Sequence, residues 1–177
     1  MILAQIALAF MGLFAAGLSW GVSRLLARRR YLLDSPTARS NHRGLTPRSG
    51  GVALILAFCA TLGFAALLGF APPPFALGLV AVAFLAFAVG FADYVLGLAA
   101  LWKLAGQVAA AGLFIVLFGA LQSGPVPLLG ELDLGAAGLV LAFIWIVGFM
   151  NAFNFMDGVN GIAAACGAFA PAGLAAA

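Results

Sequence analysis

Five long apolar runs fill most of this chain and leave little polar surface for a water-soluble fold. Of the 177 residues, 66% are hydrophobic and 7% are charged, whereas soluble domains carry about 25% charged residues. A helix needs roughly 20 apolar residues to cross about 30 Å of hydrocarbon. We therefore predict an all-α, polytopic transmembrane helical bundle of five to six spans in the lipid bilayer. The predicted spans are Ile2–Leu26, Gly51–Phe70, Phe75–Phe91, Leu104–Leu121 and Leu134–Phe149, with a sixth beginning in 162–177.

The basic residues are concentrated in one segment, which predicts the orientation. Seven of the eight lie between Arg24 and Arg48. Because Lys and Arg near span ends favour the cytoplasmic side of a membrane, we expect the N-terminus outside. Alternation then places three segments of one membrane domain, 1–177, on the cytoplasmic face as loops. These loops are 28–50, 92–103 and 150–161.

The first cytoplasmic segment holds arginine and histidine between two prolines. Arg39, His42 and Arg48 lie in this stretch, and guanidinium groups bind phosphate through paired, charge-assisted hydrogen bonds. Two interpretations follow from the residues. The segment is either a topology signal that touches anionic lipid headgroups or a loop that binds a phosphate-bearing ligand.

The second segment combines one carboxylate with two polar side chains. Asp93 is followed by Lys103 and Gln107, which are four residues apart and would share a helix face. Gln107 falls within an apolar run, where an unsatisfied amide is costly. These residues fit either a carboxylate that faces water at a span end or an inward-facing polar site.

The third segment repeats a polar residue at every third position. Asn151, Asn154, Asp157 and Asn160 lie along one slowly drifting face if the segment is helical, or in a loop if it unwinds at the intervening glycines. Either form suits a nucleotide or Mg²⁺, which takes oxygen ligands. The alternative is a helix exit capped by asparagine and glycine.

In this order, the three segments resemble the polyprenyl-phosphate N-acetylhexosamine-1-phosphate transferases of glycosyltransferase family 4. The resemblance implies transfer of N-acetylhexosamine 1-phosphate from UDP-N-acetylhexosamine to a polyprenyl phosphate such as undecaprenyl phosphate, releasing UMP, in cell-envelope glycan biosynthesis. It rests on D-x-P-x-x-R-S-x-H-x-x-x-T-P-R-x-G-G from Asp34, G-F-x-D from Gly90 with the later Lys and Gln, and N-x-x-N-F-M-D-G-x-N-G from Asn151.

The resemblance also implies site residues, a cofactor and a location. The active face would be the cytoplasmic side of the inner membrane, with Mg²⁺ or Mn²⁺ as cofactor, no nucleic-acid partner and a homodimer left open. The implied residues are Asp93 and Asp157 in catalysis, Arg39, His42, Arg48, Lys103, Asn151, Asn154 and Asn160 in substrate binding, and Asp157 with Asn154 at the metal.

The chain departs from the family pattern at two positions and in length. Tyr94 stands where the family usually has a second Asp, and Asn160 replaces another Asp. Family members have further spans, so we expect this chain to correspond to the N-terminal half. Two alternatives therefore remain: a catalytically silent truncated homologue, and a small membrane transporter.

Overall fold

Five α-helices form most of the chain that the computed structural model describes, namely residues 2–28, 33–34, 46–47, 50–126 and 130–156. Two antiparallel pairs of short strands complete this part. The helices are α1 (Ile2–Arg28), α2 (Gly50–Leu67), α3 (Pro73–Leu96), α4 (Ala100–Phe118) and α5 (Gly135–Met156). The strands are β1 (Leu33–Asp34), β2 (Thr46–Pro47), β3 (Ser123–Val126) and β4 (Gly130–Asp133).

All five helices are long and apolar enough to cross a membrane. Large apolar side chains such as Leu13 and Trp145 are exposed on their surfaces, which lipid tolerates because its tails are as apolar as leucine. The prediction of an all-α, multi-pass membrane protein is confirmed, with five spans in the described residues. The predicted start of a sixth, in 162–177, lies outside them.

Glycine and proline end α2 and separate it from α3. Gly69 adopts a left-handed conformation with φ of 75°. Its N–H donates to Ala66 O, and the N–H of Phe70 donates to Ala65 O. This hydrogen-bond pattern is the Schellman motif, which satisfies carbonyls at a helix C-terminus.

The helices extend further into the second and third polar segments than the apolar runs predict. α3 continues to Leu96 and α4 begins at Ala100, so the predicted loop 92–103 is reduced to 97–99. Gly97, with φ of 62°, donates its N–H to Asp93 O and ends α3. α5 likewise continues to Met156, which makes the first part of the third segment helical.

The chain divides into two compact units, Met1–Phe91 and Ala92–Ala177. In the first unit α1 packs against α2. The rings of Phe14 and Phe64 lie 5.8 Å apart between the two helices. The Arg24 guanidinium lies over the Trp20 ring at 4.9 Å, a cation–π contact suited to the membrane interface.

In the second unit α4 packs against α5, and the β3–β4 hairpin connects them. Asp133 Oδ1 accepts a hydrogen bond at 3.0 Å from the N–H of Gly135, the first residue of α5. Gly138 approaches the chain that leaves α4, because a Cβ there would overlap the carbonyl oxygen of Leu121. The hairpin end of this helix pair is therefore closely packed.

Candidate active site

Two polar side chains on α4 define the candidate site. Lys103 lies in the first turn of the helix and Gln107 lies one turn further on. Four residues advance about 6 Å along a helix and nearly complete one turn. Both residues lie in one uninterrupted helix, so the prediction that these side chains share a helix face is confirmed.

Asp93 and Lys103 form an ion pair across the turn between α3 and α4. Lys103 Nζ lies 2.9 Å from Asp93 Oδ1, with the two side chains 36% and 28% exposed, respectively. The left-handed conformation of Gly97 reverses the chain and lets the end of α3 meet the start of α4. Because the pair is partly solvated, it contributes about 1 kcal/mol or less to stability.

Gln107 and Asn151 form a hydrogen bond between α4 and α5. Asn151 Nδ2 donates to Gln107 Oε1 at 2.6 Å and to the carbonyl oxygen of Val147 at 3.0 Å. Gln107 is buried and Asn151 is exposed. The buried amide in this apolar run therefore has the partner that its environment requires.

The two contacts place a small polar cluster at one end of the α4–α5 pair. Lys103 supplies a positive charge with three N–H donors, of which Asp93 engages one. Asp93 supplies an acceptor-only carboxylate when it is ionised. Such a combination can bind an anionic group while orienting a second polar ligand.

Asn154 is the remaining predicted site residue in the described chain. It is exposed in the last turn of α5, three residues after Asn151, and residues at this spacing are neighbours on a helix surface. The helical alternative for the third segment therefore holds for these two asparagines. The other predicted site residues lie outside the described residues: Arg39, His42, Arg48, Asp157 and Asn160.

The metal ligands named from the sequence are only partly within the described chain. Among the described residues, no group of three His, Cys, Asp or Glu side chains is close enough to hold a metal ion. The available donors are oxygen atoms, from Asp93 and the two asparagine amides. This chemistry fits Mg²⁺, which is often bound through one or two carboxylates together with substrate phosphates and water.

Two features of the site were absent from the predicted set of site residues. The first is Gln107, which the apolar context marked as unusual. The second is the carbonyl of Val147, which no sequence pattern distinguishes from other helix carbonyls. Its hydrogen bond to Asn151 depends on the side-chain rotamer, so only the structure reveals it.

Comparison with known proteins agrees with this architecture. The family model for Glycosyl transferase family 4 matches residues 76–177. The chain is 32% identical over 171 residues to the decaprenyl-phosphate N-acetylglucosaminephosphotransferases of Mycobacterium tuberculosis and Mycolicibacterium smegmatis, covering 90% of this chain and 42% of each relative.

A more distant relative carries a similar name. The undecaprenyl-phosphate alpha-N-acetylglucosaminyl 1-phosphate transferase of Escherichia coli is 29% identical over 157 residues, which cover 86% of this chain and 41% of the relative. The chain thus spans about two fifths of the length of these relatives. Because the family model covers more than half of the chain, this membrane protein belongs to glycosyl transferase family 4.

Proposed function

We propose that the protein transfers N-acetylhexosamine 1-phosphate from a UDP-N-acetylhexosamine to a membrane polyprenyl phosphate and releases UMP. The observation that carries this proposal is the Asp93–Lys103 pair beside the start of a membrane-spanning helix in a chain of this family. The names of the relatives support a polyprenyl-phosphate acceptor and an N-acetylglucosamine phosphate donor.

The reaction balances as a phosphoryl transfer. An oxygen of the polyprenyl phosphate attacks the sugar-bearing phosphorus of the UDP-sugar. The bond from that phosphorus to the bridging oxygen breaks, and UMP leaves with the electron pair. No atom is oxidised or reduced. Because both substrates are anionic, positive charge near the reacting phosphates lowers the barrier.

Lys103 is the residue that supplies positive charge in this proposal. Its ammonium group is partly exposed and holds Asp93 through one contact, so further N–H donors remain for phosphate oxygens. Asp93 in turn keeps the lysine at the helix end and offers a carboxylate that can orient the attacking phosphate. The pair thus combines electrostatic stabilisation with positioning.

We extend the proposal to Mg²⁺ or Mn²⁺, held by Asp157 and Asn154 with substrate phosphates. A bound divalent ion would supply charge neutralisation at the diphosphate. Arg39, His42 and Arg48 would contact phosphate or sugar, and Asn160 the nucleotide. The active face would be cytoplasmic, where a soluble UDP-sugar and a membrane lipid phosphate can meet. The proposal leaves room for a homodimer.

Membranes from cells that produce the protein test the reaction. We expect UMP release to require both UDP-N-acetylglucosamine and polyprenyl phosphate, and to stop when EDTA removes divalent cations. Asp157→Ala should lower turnover at least about 100-fold, as expected when a charged group that stabilises the transition state is lost. Retained turnover in that variant contradicts the role of Asp157, and UMP release without lipid phosphate contradicts the reaction.

Catalytic silence is a second candidate, favoured by Tyr94. The family usually has a second carboxylate next to Asp93, and the Tyr94 side chain does not supply one. Purified 177-residue protein in nanodiscs separates the two candidates, since UMP formation by this chain alone refutes silence. If the chain is inactive and Tyr94→Asp restores UMP release, catalytic silence caused by Tyr94 is supported.

A further inference from the structure

The Asn151 side chain is held by two acceptors that use both of its N–H groups. One is Gln107 Oε1 at 2.6 Å and the other is the carbonyl oxygen of Val147 at 3.0 Å. A backbone carbonyl can only accept, so the atom that faces Val147 must be the amide nitrogen. The atom of Gln107 that faces the same nitrogen must then be its oxygen.

This arrangement fixes which polar atom Asn151 presents to a ligand. With both N–H groups engaged, the carboxamide oxygen Oδ1 points away from Gln107 and Val147. Asn151 is exposed, whereas Gln107 is buried in the contact between α4 and α5. The buried amide therefore belongs to the protein framework, and the exposed one carries the reachable acceptor.

We propose that Gln107 is a positioning residue for the transfer reaction, which holds the Asn151 carboxamide in one orientation so that its oxygen accepts a donor of the UDP-sugar. The inference rests on the proposed function. The ligand group is electron-poor: an N–H or O–H of the nucleotide-sugar, or the divalent cation bound with it. Without Gln107, only the Val147 carbonyl holds the Asn151 amide, which then rotates more readily and presents N–H groups that repel such a partner.

The hydrogen bond itself can be tested without any enzyme assay. The chain contains four asparagines, so selective ¹⁵N-asparagine labelling gives at most four pairs of side-chain NH₂ signals. The pair that disappears in Asn151→Ala belongs to Asn151. We expect this pair to exchange slowly with deuterium. Gln107→Met keeps the length of the side chain but removes the acceptor. It should change the chemical shifts of the Asn151 pair and increase its rate of exchange with deuterium. An unaffected pair overturns the proposal.

Kinetics then test the consequence for the reaction. Gln107→Met should lower kcat/KM for UDP-N-acetylglucosamine about tenfold, the factor expected from one lost hydrogen bond. Gln107→Glu retains an acceptor oxygen and should recover most of the loss. On an Asn151→Ala background, Gln107→Met should cause no further loss, because Gln107 acts only through Asn151. Full additivity of the two substitutions overturns the proposal.

Two titrations identify the partner of the Asn151 oxygen. At saturating Mg²⁺, a raised KM for UDP-N-acetylglucosamine in Gln107→Met indicates that the partner of the Asn151 oxygen is a donor of the nucleotide-sugar. A higher Mg²⁺ concentration required for half-maximal rate at saturating UDP-sugar indicates that the partner is the cation. Both outcomes support the positioning role, whereas a loss of thermal stability with unchanged kcat/KM for folded protein overturns it.

The proposal and the function on which it rests fail in different ways. If wild-type protein releases no UMP, the proposed function fails, and the NMR measurement still decides whether Gln107 orients Asn151. Thr61→Val serves as a matched control, because it also removes a buried polar group from a membrane helix but lies in α2. We expect this control to retain the wild-type kcat/KM.

Discussion

Lys103 places a positive charge at the start of α4, within 2.9 Å of Asp93. We predict that Lys103→Ala lowers kcat/KM for UDP-N-acetylglucosamine about 100-fold, since it removes a donor that would stabilise charge on the transferring phosphate. Lys103→Arg keeps the charge but changes its geometry, so its loss should be smaller. The melting temperature of the Ala variant should change little, because the ion pair is partly solvated. A wild-type rate in Lys103→Ala contradicts the assignment.

Thr61 gives a residue-scale test of packing in the first unit. Its hydroxyl oxygen is buried and has no hydrogen-bond partner among the described residues. Thr61→Val replaces the hydroxyl with a methyl group of similar size, so we expect unfolding in detergent to cost about 1 kcal/mol more. Thr61→Ser keeps the hydroxyl and loses the methyl group, and should be less stable than wild type. A destabilised Val variant contradicts the account of this position.

The residue types of the site were easier to predict than their pairing. Lys103 and Gln107 could be placed on one face because helix periodicity fixes the direction of residues four apart. The hydrogen bond that Asn151 donates to Gln107 joins residues 44 positions apart, and its formation depends on how α4 and α5 pack. Neither hydropathy nor spacing specifies which residues of α4 lie beside which residues of α5. The sequence therefore predicted an unusual amide but not its partner.

At the level of elements, Gly138 sets how closely the start of α5 approaches the end of α4. Because a Cβ at this position would overlap the backbone carbonyl of Leu121, we predict that Gly138→Ala destabilises the protein by about 1–3 kcal/mol, as overpacking does elsewhere. The measurement is thermal unfolding in detergent micelles.

Gly148 is the matched control in the same helix. A Cβ there would meet no atom within 4 Å, and alanine favours a helix over glycine by about 1 kcal/mol. Gly148→Ala should therefore leave the melting temperature unchanged or raise it. Equal losses in the two variants contradict the role of the Leu121 contact and indicate a general cost of substituting glycine in α5.

The apolar runs predicted the number of described helices but not their ends. The predicted third span stopped at Phe91 and the fourth began at Leu104, whereas α3 continues to Leu96 and α4 begins at Ala100. Polar residues do not break a helix, which continues until a residue such as Gly97 leaves the helical conformation. The β3–β4 hairpin was also unforeseen, because its strands are too short to show a clear alternating pattern.

At the scale of the whole molecule, the distribution of basic residues predicts which side of the membrane each connection occupies. The turn at 97–99 should be cytoplasmic and the β3–β4 hairpin external. In a chain with Cys59 and Cys166 replaced by alanine, a membrane-impermeant maleimide should label Ser123→Cys in intact cells. It should label Ala99→Cys only after the membrane is opened. The reverse labelling pattern contradicts the orientation.

The resemblance to the family rests on three short motifs spread along an otherwise apolar chain, and the match of the family model shows membership. The structure describes the second segment in full and the other two in part, and it brings Asp93, Lys103 and Asn151 into the same unit. The predicted site arginines of the first segment, Arg39 and Arg48, lie outside the described residues. Their placement near the substrate phosphates therefore remains a prediction from the motif.

The most direct test of the central claim follows the sugar-bearing phosphate of the donor. Protein in nanodiscs is given UDP-N-acetylglucosamine labelled with ³²P at that phosphate, together with polyprenyl phosphate and Mg²⁺. We predict that the label moves into an organic-soluble lipid in the same amount as UMP appears, and that Lys103→Ala greatly slows both. Label that stays in water as UDP while sugar enters the lipid would contradict transfer of a sugar 1-phosphate.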